Sequence, residues 1–156
     1  MSGAALEALS SAGIPFRVIR HGSVRSLAEA AAARGVAVGD VVKTIVVRRG
    51  ERDFVFVLVP GDRVISWPKL RALLGVNRLS LPDANEARSA TGYERGTVTP
   101  FGASTAWPVV ADERVRGRTI TLGAGRRDIA VAVDADAALR ALDATVADLT
   151  EPERPR

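Results

Sequence analysis

The sequence contains no cysteine and a single histidine, His21. The absence of cysteine excludes disulfides, thiolate metal sites, iron–sulfur clusters and cysteine nucleophiles. One histidine excludes a metal site built from several histidines, and a serine triad would have to run through His21. If the chain is an enzyme, it therefore works with lysine, backbone amides, carboxylates or groups on its substrate.

Aromatic residues and long apolar runs are also scarce. Aromatics make up 4% of the 156 residues, so a nucleic acid would be held mainly through its backbone and shape. Apolar runs such as Phe54 to Pro60 are far shorter than the roughly 20 residues of a membrane span. We expect a soluble, cytoplasmic protein without a membrane partner, with one domain over residues 1–150 and a frayed polar tail over 151–156.

Lysine is rare as well, since the 22 basic residues include only Lys43 and Lys69. Residues 1–127 carry 19 basic and 11 acidic side chains, a net charge of +8, whereas residues 128–156 carry a net charge of −4. A positively charged body suits a polyanionic partner such as nucleic acid. An arginine-rich surface that only maintains solubility is the alternative, and composition does not separate the two.

The hydrophobic pattern mixes helices and strands without strict βαβ repetition, which predicts an α+β domain with a mixed sheet. Ser26, with Glu29 three residues later, is a good helix cap. The stretch 92–108 has little periodicity and is predicted to be a long ordered loop or a functional one. Predicted helices cover residues 4–12, 27–34, 68–74, 82–91 and 135–142; predicted strands cover 15–21, 41–49, 54–59, 78–81, 109–110, 118–122, 129–133 and 146–149.

Lys43 is the first candidate for chemistry, because it lies within a β-branched segment that is predicted to be a central strand. An unpaired lysine there would be costly if it were buried. Strand alternation could simply direct it to solvent. Alternatively, its ammonium lines a cleft and holds a phosphate or carbonyl oxygen.

Two glycine-containing segments are further candidates. Glycines at 92, 96 and 102 permit positive φ or close approach of a ligand, and backbone amides presented in such a loop can form an oxyanion hole. Gly123-Ala124-Gly125 is either a hairpin turn or a pocket wall, and it matches neither a dinucleotide fingerprint nor a P-loop. A structural loop is the alternative for the first segment.

Together these elements resemble the YbaK/ProX family of aminoacyl-tRNA deacylases, which is related to the editing domain of bacterial prolyl-tRNA synthetases. The resemblance covers roughly residues 10–150. Its most specific part is Thr91-Gly92-Tyr93 followed by the segment 96–102. The other matching segments are His21 with the helix 26–35, Val41-Val42-Lys43-Thr44, the turn 59–62 and the glycine turn 122–125.

The resemblance implies an α+β single domain with a mixed, strongly curved β-sheet flanked by helices. It also implies trans-editing hydrolysis of the ester that joins a mischarged amino acid to the tRNA 3′ adenosine, with no metal and no cofactor. In the family pattern, Lys43 positions the substrate, amides around Gly102 stabilise the oxyanion, and a ribose hydroxyl assists the attacking water. The substrate-binding residues that the resemblance implies are His21, Thr44, Gly96, Thr99, Pro100, Phe101, Gly123, Ala124 and Gly125.

The amino acid removed stays open. Family members proposed to act on cysteinyl-tRNA often have a serine in the late glycine turn, where this chain has Ala124, so alanine, serine, proline-like or other small side chains are candidates. The implied partner is tRNA, with an aminoacyl-tRNA synthetase as a further candidate. The alternative functions are a non-catalytic module that binds tRNA or an aminoacyl-nucleotide beside a synthetase, and a structural or protein-interaction domain.

Overall fold

Within residues 3–22 and 24–153, which the computed structural model describes, the chain forms five α-helices. They are α1 (Ala4–Ser11), α2 (Leu27–Arg34), α3 (Trp67–Leu74), α4 (Ala84–Thr91) and α5 (Ala135–Ala141). Ser26 Oγ accepts a hydrogen bond from Glu29 N at 3.1 Å and caps α2, which ends at Gly35 with φ of 72°. All the predicted helices are confirmed, with small differences at their ends.

The strands in the same described residues form three sheets. They are β1 (Phe16–Arg20), β2 (Val42–Gly50), β3 (Asp53–Pro60), β4 (Arg63–Ile65), β5 (Val109–Asp112), β6 (Thr119–Gly123), β7 (Ile129–Asp134), β8 (Thr145–Ala147) and β9 (Thr150–Pro152). One sheet is antiparallel with order β1-β7-β6. The second has order β2-β3-β5-β8, with an antiparallel β2–β3 pair and two parallel pairs, and β4 pairs with β9. The α+β class is confirmed, but the strands are divided among three sheets instead of one.

Strand β3 is the centre of the fold because both of its faces are buried. Phe56 and Leu58 pack into a large core with side chains of α1, β6 and β7. Val57 and Val59 face a smaller core that includes Leu70 of α3. Burying one such side chain contributes about 1.5–3 kcal/mol, which explains why β3 is apolar throughout instead of alternating. No helix among the described residues is long and apolar enough to cross a membrane.

The predicted strand over residues 78–81 is wrong. Only Ser80 pairs with β2, through two backbone hydrogen bonds with Arg48 of 2.8 and 3.1 Å. Pro82 follows closely and has no amide hydrogen to continue a ladder. On the other side, β2 bulges between Arg48 and Gly50, so the pairing stops after one bridge.

The structure also differs from the predicted closing strand over residues 146–149, because two short strands take its place. The chain leaves β8 at Ala147 and starts β9 at Thr150. Between these strands, Leu149 N donates a 3.0 Å hydrogen bond to the buried Asp112 Oδ1, which turns the chain away from the four-stranded sheet. A buried carboxylate that accepts backbone hydrogen bonds is a tertiary contact, and strand propensity does not report it.

The segment 151–156, predicted to be a frayed tail, is ordered at its start. Pro152 lies opposite Arg63 in the β4–β9 pair, and Arg63 Nε donates to Thr150 Oγ1 at 2.7 Å. The prediction is therefore wrong for Glu151 and Pro152, because β4 offers them a pairing edge. Residues 154–156 lie outside the described residues.

The ion pairs of Asp148 are expected to make the stability of the protein depend on pH in the acid range. Its carboxylate accepts hydrogen bonds from Lys69 Nζ at 2.8 Å and Arg114 Nη1 at 2.9 Å, which lower the pKa of Asp148 from 3.8 to about 2. A lowered native pKa gives stability that is present above pH 3.8 and is lost as the pH falls towards 2. We expect Asp148→Asn to unfold at lower urea concentration than the wild type at pH 7, with the difference disappearing across that acid window. A difference that persists below that window would contradict this linkage.

Candidate active site

A cleft opens along the free edge of β2. The prediction that this segment is a central strand is wrong, because the order β2-β3-β5-β8 leaves β2 at the edge of its sheet. At one end of this edge Val41 bridges Thr121 of β6, and at the other end Arg48 pairs with Ser80. Between these two bridges, the described residues place no strand against β2. The two ends are therefore closed by backbone contacts while the middle stays open to a ligand.

The free edge of β2 presents backbone groups to the cleft. Arg48 directs both its N–H and its C=O to Ser80, on the side away from β3. The register of β2 on β3 is regular from Val42 to Arg48, so alternation directs the amide and carbonyl groups of Thr44 and Val46 to this same edge. A ligand with hydrogen-bonding groups can use them as a strand would.

The cleft has a volume of about 920 Å³. Residues 41–46 of β2 form one wall, and α2 with the turn before it forms another. The start of α4 and the loop after α4 complete the lining, together with Gly123 of β6. A shallower depression of about 430 Å³ beside α5 shares none of these residues.

Lys43 lines the cleft and is half-buried. Its Nζ donates a 2.8 Å hydrogen bond to the Arg63 carbonyl oxygen. Burial lowers the pKa of the Lys43 ammonium from its usual 10.5, while the carboxylates of Glu153 and Asp62 oppose the shift. The ammonium is therefore held at the Arg63 carbonyl instead of pointing freely into solvent, and its part in binding a ligand stays a prediction.

Two polar atoms in the cleft lining are buried without a hydrogen-bond partner among the described residues. They are Thr44 Oγ1 and Arg34 Nε. Buried polar groups are nearly always paired, so orphaned ones in a cleft mark groups that a ligand can satisfy. Arg34 was not a candidate from sequence, because an arginine in the last turn of a helix usually faces solvent and complements the helix dipole.

The loop after α4 is held in place by Tyr93. The Tyr93 hydroxyl donates a 2.6 Å hydrogen bond to the Phe101 carbonyl oxygen across the loop. Gly125 makes room for the ring, since a Cβ there would lie 2.7 Å from Tyr93 Cε1. This closing contact explains why the stretch 92–108 is ordered although it has no regular secondary structure.

Removing the Tyr93 hydroxyl is expected to loosen this loop. Burial raises the pKa of Tyr93 from 10.0 to about 12, so the neutral hydroxyl stabilises the native state below pH 10 and this contribution is lost towards pH 12. We expect Tyr93→Phe to cost about 1–2 kcal/mol of unfolding free energy, because Phe101 O loses its buried donor. Urea unfolding at neutral pH measures the cost, and an unchanged midpoint would contradict the role given to this hydrogen bond.

The same loop carries two backbone amides that can serve a ligand. Gly96 and Val98 line the cleft, and their N–H groups donate to no group of the described residues. Thr97 between them is buried, and its carbonyl accepts a 3.0 Å hydrogen bond from Gly125 N. Gly96 has φ of +87° and open space around the position of a Cβ. The hydrogen bond from Gly125 to Thr97 thus holds the loop in place without using the amides of Gly96 and Val98. These two amides are available to an oxyanion.

Gly102 lies elsewhere. It is not among the residues that line the cleft, and with φ of +71° it packs against the start of α1, where a Cβ would overlap the backbone of Ala4 and lie 2.8 Å from Ala5 N. The sequence pattern marks the glycine but cannot tell a packing requirement from a ligand requirement. The packing of Gly102 on α1 accounts for this glycine without a ligand, and the predicted oxyanion role of the amides around it stays a prediction.

The structure divides the predicted site residues into two groups. Four of them, Lys43, Thr44, Gly96 and Gly123, come together in the cleft, and their roles remain predictions. The other seven predicted site residues do not line the cleft: His21, Thr99, Pro100, Phe101, Gly102, Ala124 and Gly125. His21 donates its backbone N–H to Asp128 O at 2.9 Å, and its Nδ1 lies 2.8 Å from Gly22 O.

The charge of the cleft is positive. Its ionisable lining residues are the four cations Arg25, Arg34, Lys43 and Arg95 and the single carboxylate Asp83. The carboxylate is already used, since it caps α4 by accepting from Glu86 N at 2.8 Å. An excess of cations around a cleft with free amides favours an anionic ligand.

Residues 21–141 match the model of a protein family described as the aminoacyl-tRNA editing domain. The chain belongs to this family. The resemblance found in the sequence is thereby confirmed, and this editing domain is an aminoacyl-tRNA hydrolase whose partner is aminoacyl-tRNA. Within the described residues, no group of three or more histidine, cysteine, aspartate or glutamate side chains could hold a metal ion.

Relatives of the editing domain are found both as small proteins and as parts of synthetases. This chain is 26% identical over 134 residues to the "Putative Cys-tRNA(Pro)/Cys-tRNA(Cys) deacylase EbsC" of Enterococcus faecalis. The match covers 85% of this chain and 80% of that protein. The chain is 34% identical over 94 residues to a proline–tRNA ligase of Thermosipho africanus, covering 60% of this chain but 16% of the ligase.

A solved structure has the same fold over nearly the whole chain. It is described as a "putative trans-editing enzyme for prolyl tRNA synthetase" and is 30% identical to the editing domain, with a TM-score of 0.87. The match covers 97% of this chain and 99% of the other. The shared fold therefore includes the cleft-forming elements β2, α2, α4 and β6.

Proposed function

We propose that this editing domain acts in trans and hydrolyses the ester between a mischarged small amino acid and the 3′-terminal adenosine of tRNA. The observation that carries the proposal is the pair of amides at Gly96 and Val98, which donate to no group of the described residues, in a cleft that Lys43 also lines. The proposal includes a cytoplasmic location, where aminoacyl-tRNA is used.

The first step is the binding of the aminoacyl end along the free edge of β2. The backbone groups of Thr44 and Val46 along this edge are available to the polar atoms of the acyl-adenosine. The exposed Arg25 and Arg95 at the rim are positioned to attract the tRNA phosphates. Binding along a strand edge places the ester at a fixed position, and positioning alone is a large part of catalysis for an activated ester.

The second step is attack by water on the ester carbonyl carbon. The water oxygen forms a bond to this carbon while a hydroxyl of the terminal ribose takes part in removing the proton, and the carbonyl oxygen becomes an oxyanion. The amides of Gly96 and Val98 donate to this oxyanion, and Lys43 adds a positive charge to the same cleft. The ester C–O bond then breaks, and a proton passes to the ribose oxygen that leaves.

Selectivity for a small amino acid fits the wall formed by Gly123. A Cβ at this position would lie 3.2 Å from Val98 O, so the strand and the loop are already close together. An acyl side chain bound against this wall meets the backbone of Gly123 and Val98, and steric exclusion of large side chains discriminates more strongly than favourable contacts with one extra methylene. Among uncharged acyl groups, we expect alanine and serine to be removed fastest.

The deciding experiment is single-turnover deacylation of a panel of mischarged tRNAs. The purified chain is incubated with tRNA(Pro) carrying alanine, serine, cysteine or threonine, and with correctly charged Pro-tRNA(Pro) as the control. We expect at least one small acyl group to be released well above the spontaneous rate while the control is spared. Salt-sensitive tRNA binding without release of any acyl group would instead support the non-catalytic binding module.

A further inference from the structure

Arg34 has an unusual environment for an arginine in the last turn of a helix. It lines the cleft and is only partly exposed. Its Nη1 donates a 3.0 Å hydrogen bond to Thr121 Oγ1, a hydroxyl that is fully buried. Its Nε is buried and finds no hydrogen-bond partner among the described residues. One side of the guanidinium is therefore anchored while the other has an unused donor.

The charge of Arg34 is also uncompensated. None of the ion pairs formed between described residues includes Arg34, and the one carboxylate of the cleft lining, Asp83, already caps α4. Burial lowers the pKa of Arg34, because the low-dielectric surroundings disfavour its charged form. The C-terminus of α2 gives only weak compensation, because helix dipole effects are small beside the desolvation of a charge.

A partly buried cation with an unpaired nitrogen in the lining of an open cleft is best explained by a ligand that supplies the missing negative charge and hydrogen-bond acceptor. We propose that Arg34 is a recognition residue that binds an anionic oxygen of the ligand in this cleft through the guanidinium donors that Thr121 does not use. The proposal deepens the deacylase function and rests on it for the identity of the ligand. Two parts of an aminoacyl-tRNA end supply such an oxygen: the phosphate of the terminal nucleotide, and the carboxylate of an acidic aminoacyl side chain.

The guanidinium suits this role better than an ammonium would. Its planar donor set can keep the Thr121 contact and still present Nε and a second nitrogen to two oxygens of one anion. The anchor through Thr121 fixes the orientation of this fork before the ligand arrives, so less conformational entropy is lost on binding. Thr121 is therefore a positioning residue for Arg34.

The first arm of the test uses binding, so it does not depend on hydrolysis. The affinities of adenosine 5′-monophosphate and adenosine are measured by calorimetry for the wild type, Arg34→Leu and Arg34→Lys. If Arg34 binds the phosphate, the wild type prefers the monophosphate by about tenfold or more. This preference is lost in Arg34→Leu and partly kept in Arg34→Lys.

The second arm uses aminoacyl-adenosine esters that differ only in the acyl side chain. If Arg34 binds a side-chain carboxylate, the wild type hydrolyses the aspartyl ester about tenfold faster than the asparaginyl ester, and Arg34→Leu removes the difference. Arg88→Leu is the matched control, since Arg88 lies in the last turn of α4, is exposed and does not line the cleft. Thermal unfolding of each variant verifies that it is folded.

The outcomes separate the proposal from the deacylase function. The proposal would be overturned if the wild type and Arg34→Leu had the same monophosphate-to-adenosine affinity ratio and the same aspartyl-to-asparaginyl rate ratio. Arg34 would then have only its structural contact with Thr121. Failure of the wild type to hydrolyse any ester would contradict the deacylase function, while the monophosphate arm would still decide whether Arg34 binds an anion.

Discussion

Replacing Lys43 by methionine is expected to lower kcat/KM for deacylation by about a hundredfold or more, the size of effect seen when one oxyanion-stabilising group is lost. Methionine keeps the length and apolar stem of the side chain but removes the charge. Lys43 lines the cleft, and its half-buried ammonium, held at the Arg63 carbonyl, is screened by water less than a surface charge, so its loss changes the field along the edge of β2.

The chain offers a matched control, because it has only one other lysine. Lys69 donates to Asp148 and to Thr150 O, and it does not line the cleft. We expect Lys69→Met to lower stability slightly and to keep wild-type kcat/KM. The comparison uses single-turnover deacylation of one mischarged tRNA, with thermal unfolding of both variants. Full activity of Lys43→Met would show that the ammonium has no part in the reaction.

Three glycines with positive φ, Gly96, Gly102 and Gly117, are expected to respond differently to alanine. Gly102→Ala should cost about 2–4 kcal/mol of unfolding free energy, because it adds an overlap with the backbone of α1 to the strain of a positive φ. Gly96→Ala and Gly117→Ala have open space for the new methyl group and positive φ, so each should cost about 1–2 kcal/mol.

Activity separates the two glycines that have open space. Gly96 lines the cleft and supplies one of the free amides, whereas Gly117 does not line it and donates to Asp136 Oδ1 at 3.2 Å. We expect Gly96→Ala to lower kcat/KM about tenfold or more by shifting the oxyanion donors. Gly117→Ala should keep wild-type kcat/KM. Equal kcat/KM for these two variants would contradict the assignment of the oxyanion donors to the segment 96–98.

Much of the fold follows from local signals in the sequence. Ser26 and Gly35 bound α2 as predicted, because a cap side chain and a left-handed glycine act within one helical turn. The hairpin of β2 and β3 also follows from local chemistry, since two β-branched segments flank a short turn. The errors concern contacts between distant segments. The β4–β9 pair joins residues near position 64 to residues near 151, and no local pattern predicts that partnership.

The candidate site, like the fold, combines features that the sequence indicates locally with features that depend on contacts between distant segments. The absence of cysteine and the single histidine already indicated chemistry based on lysine and backbone amides. Lys43 and Gly96 were candidates by type and by resemblance, and both lie in the cleft. Gly102 has the same residue type and a similar φ to Gly96, yet it packs on α1. Whether a glycine accommodates a neighbouring backbone or a ligand depends on what faces it, which only the folded chain decides.

The sequence by itself determined the class of fold, most element boundaries and the kinds of chemistry that are excluded, because these depend on residue type and on spacing along the chain. Only the tertiary structure decided which residues share the cleft. It separated Gly96 from Gly102, placed the Lys43 ammonium at Arg63 O, and left Arg34 Nε without a hydrogen-bond partner among the described residues. These three results depend on distances between segments far apart in sequence, and such distances are set when the two cores pack on opposite faces of β3.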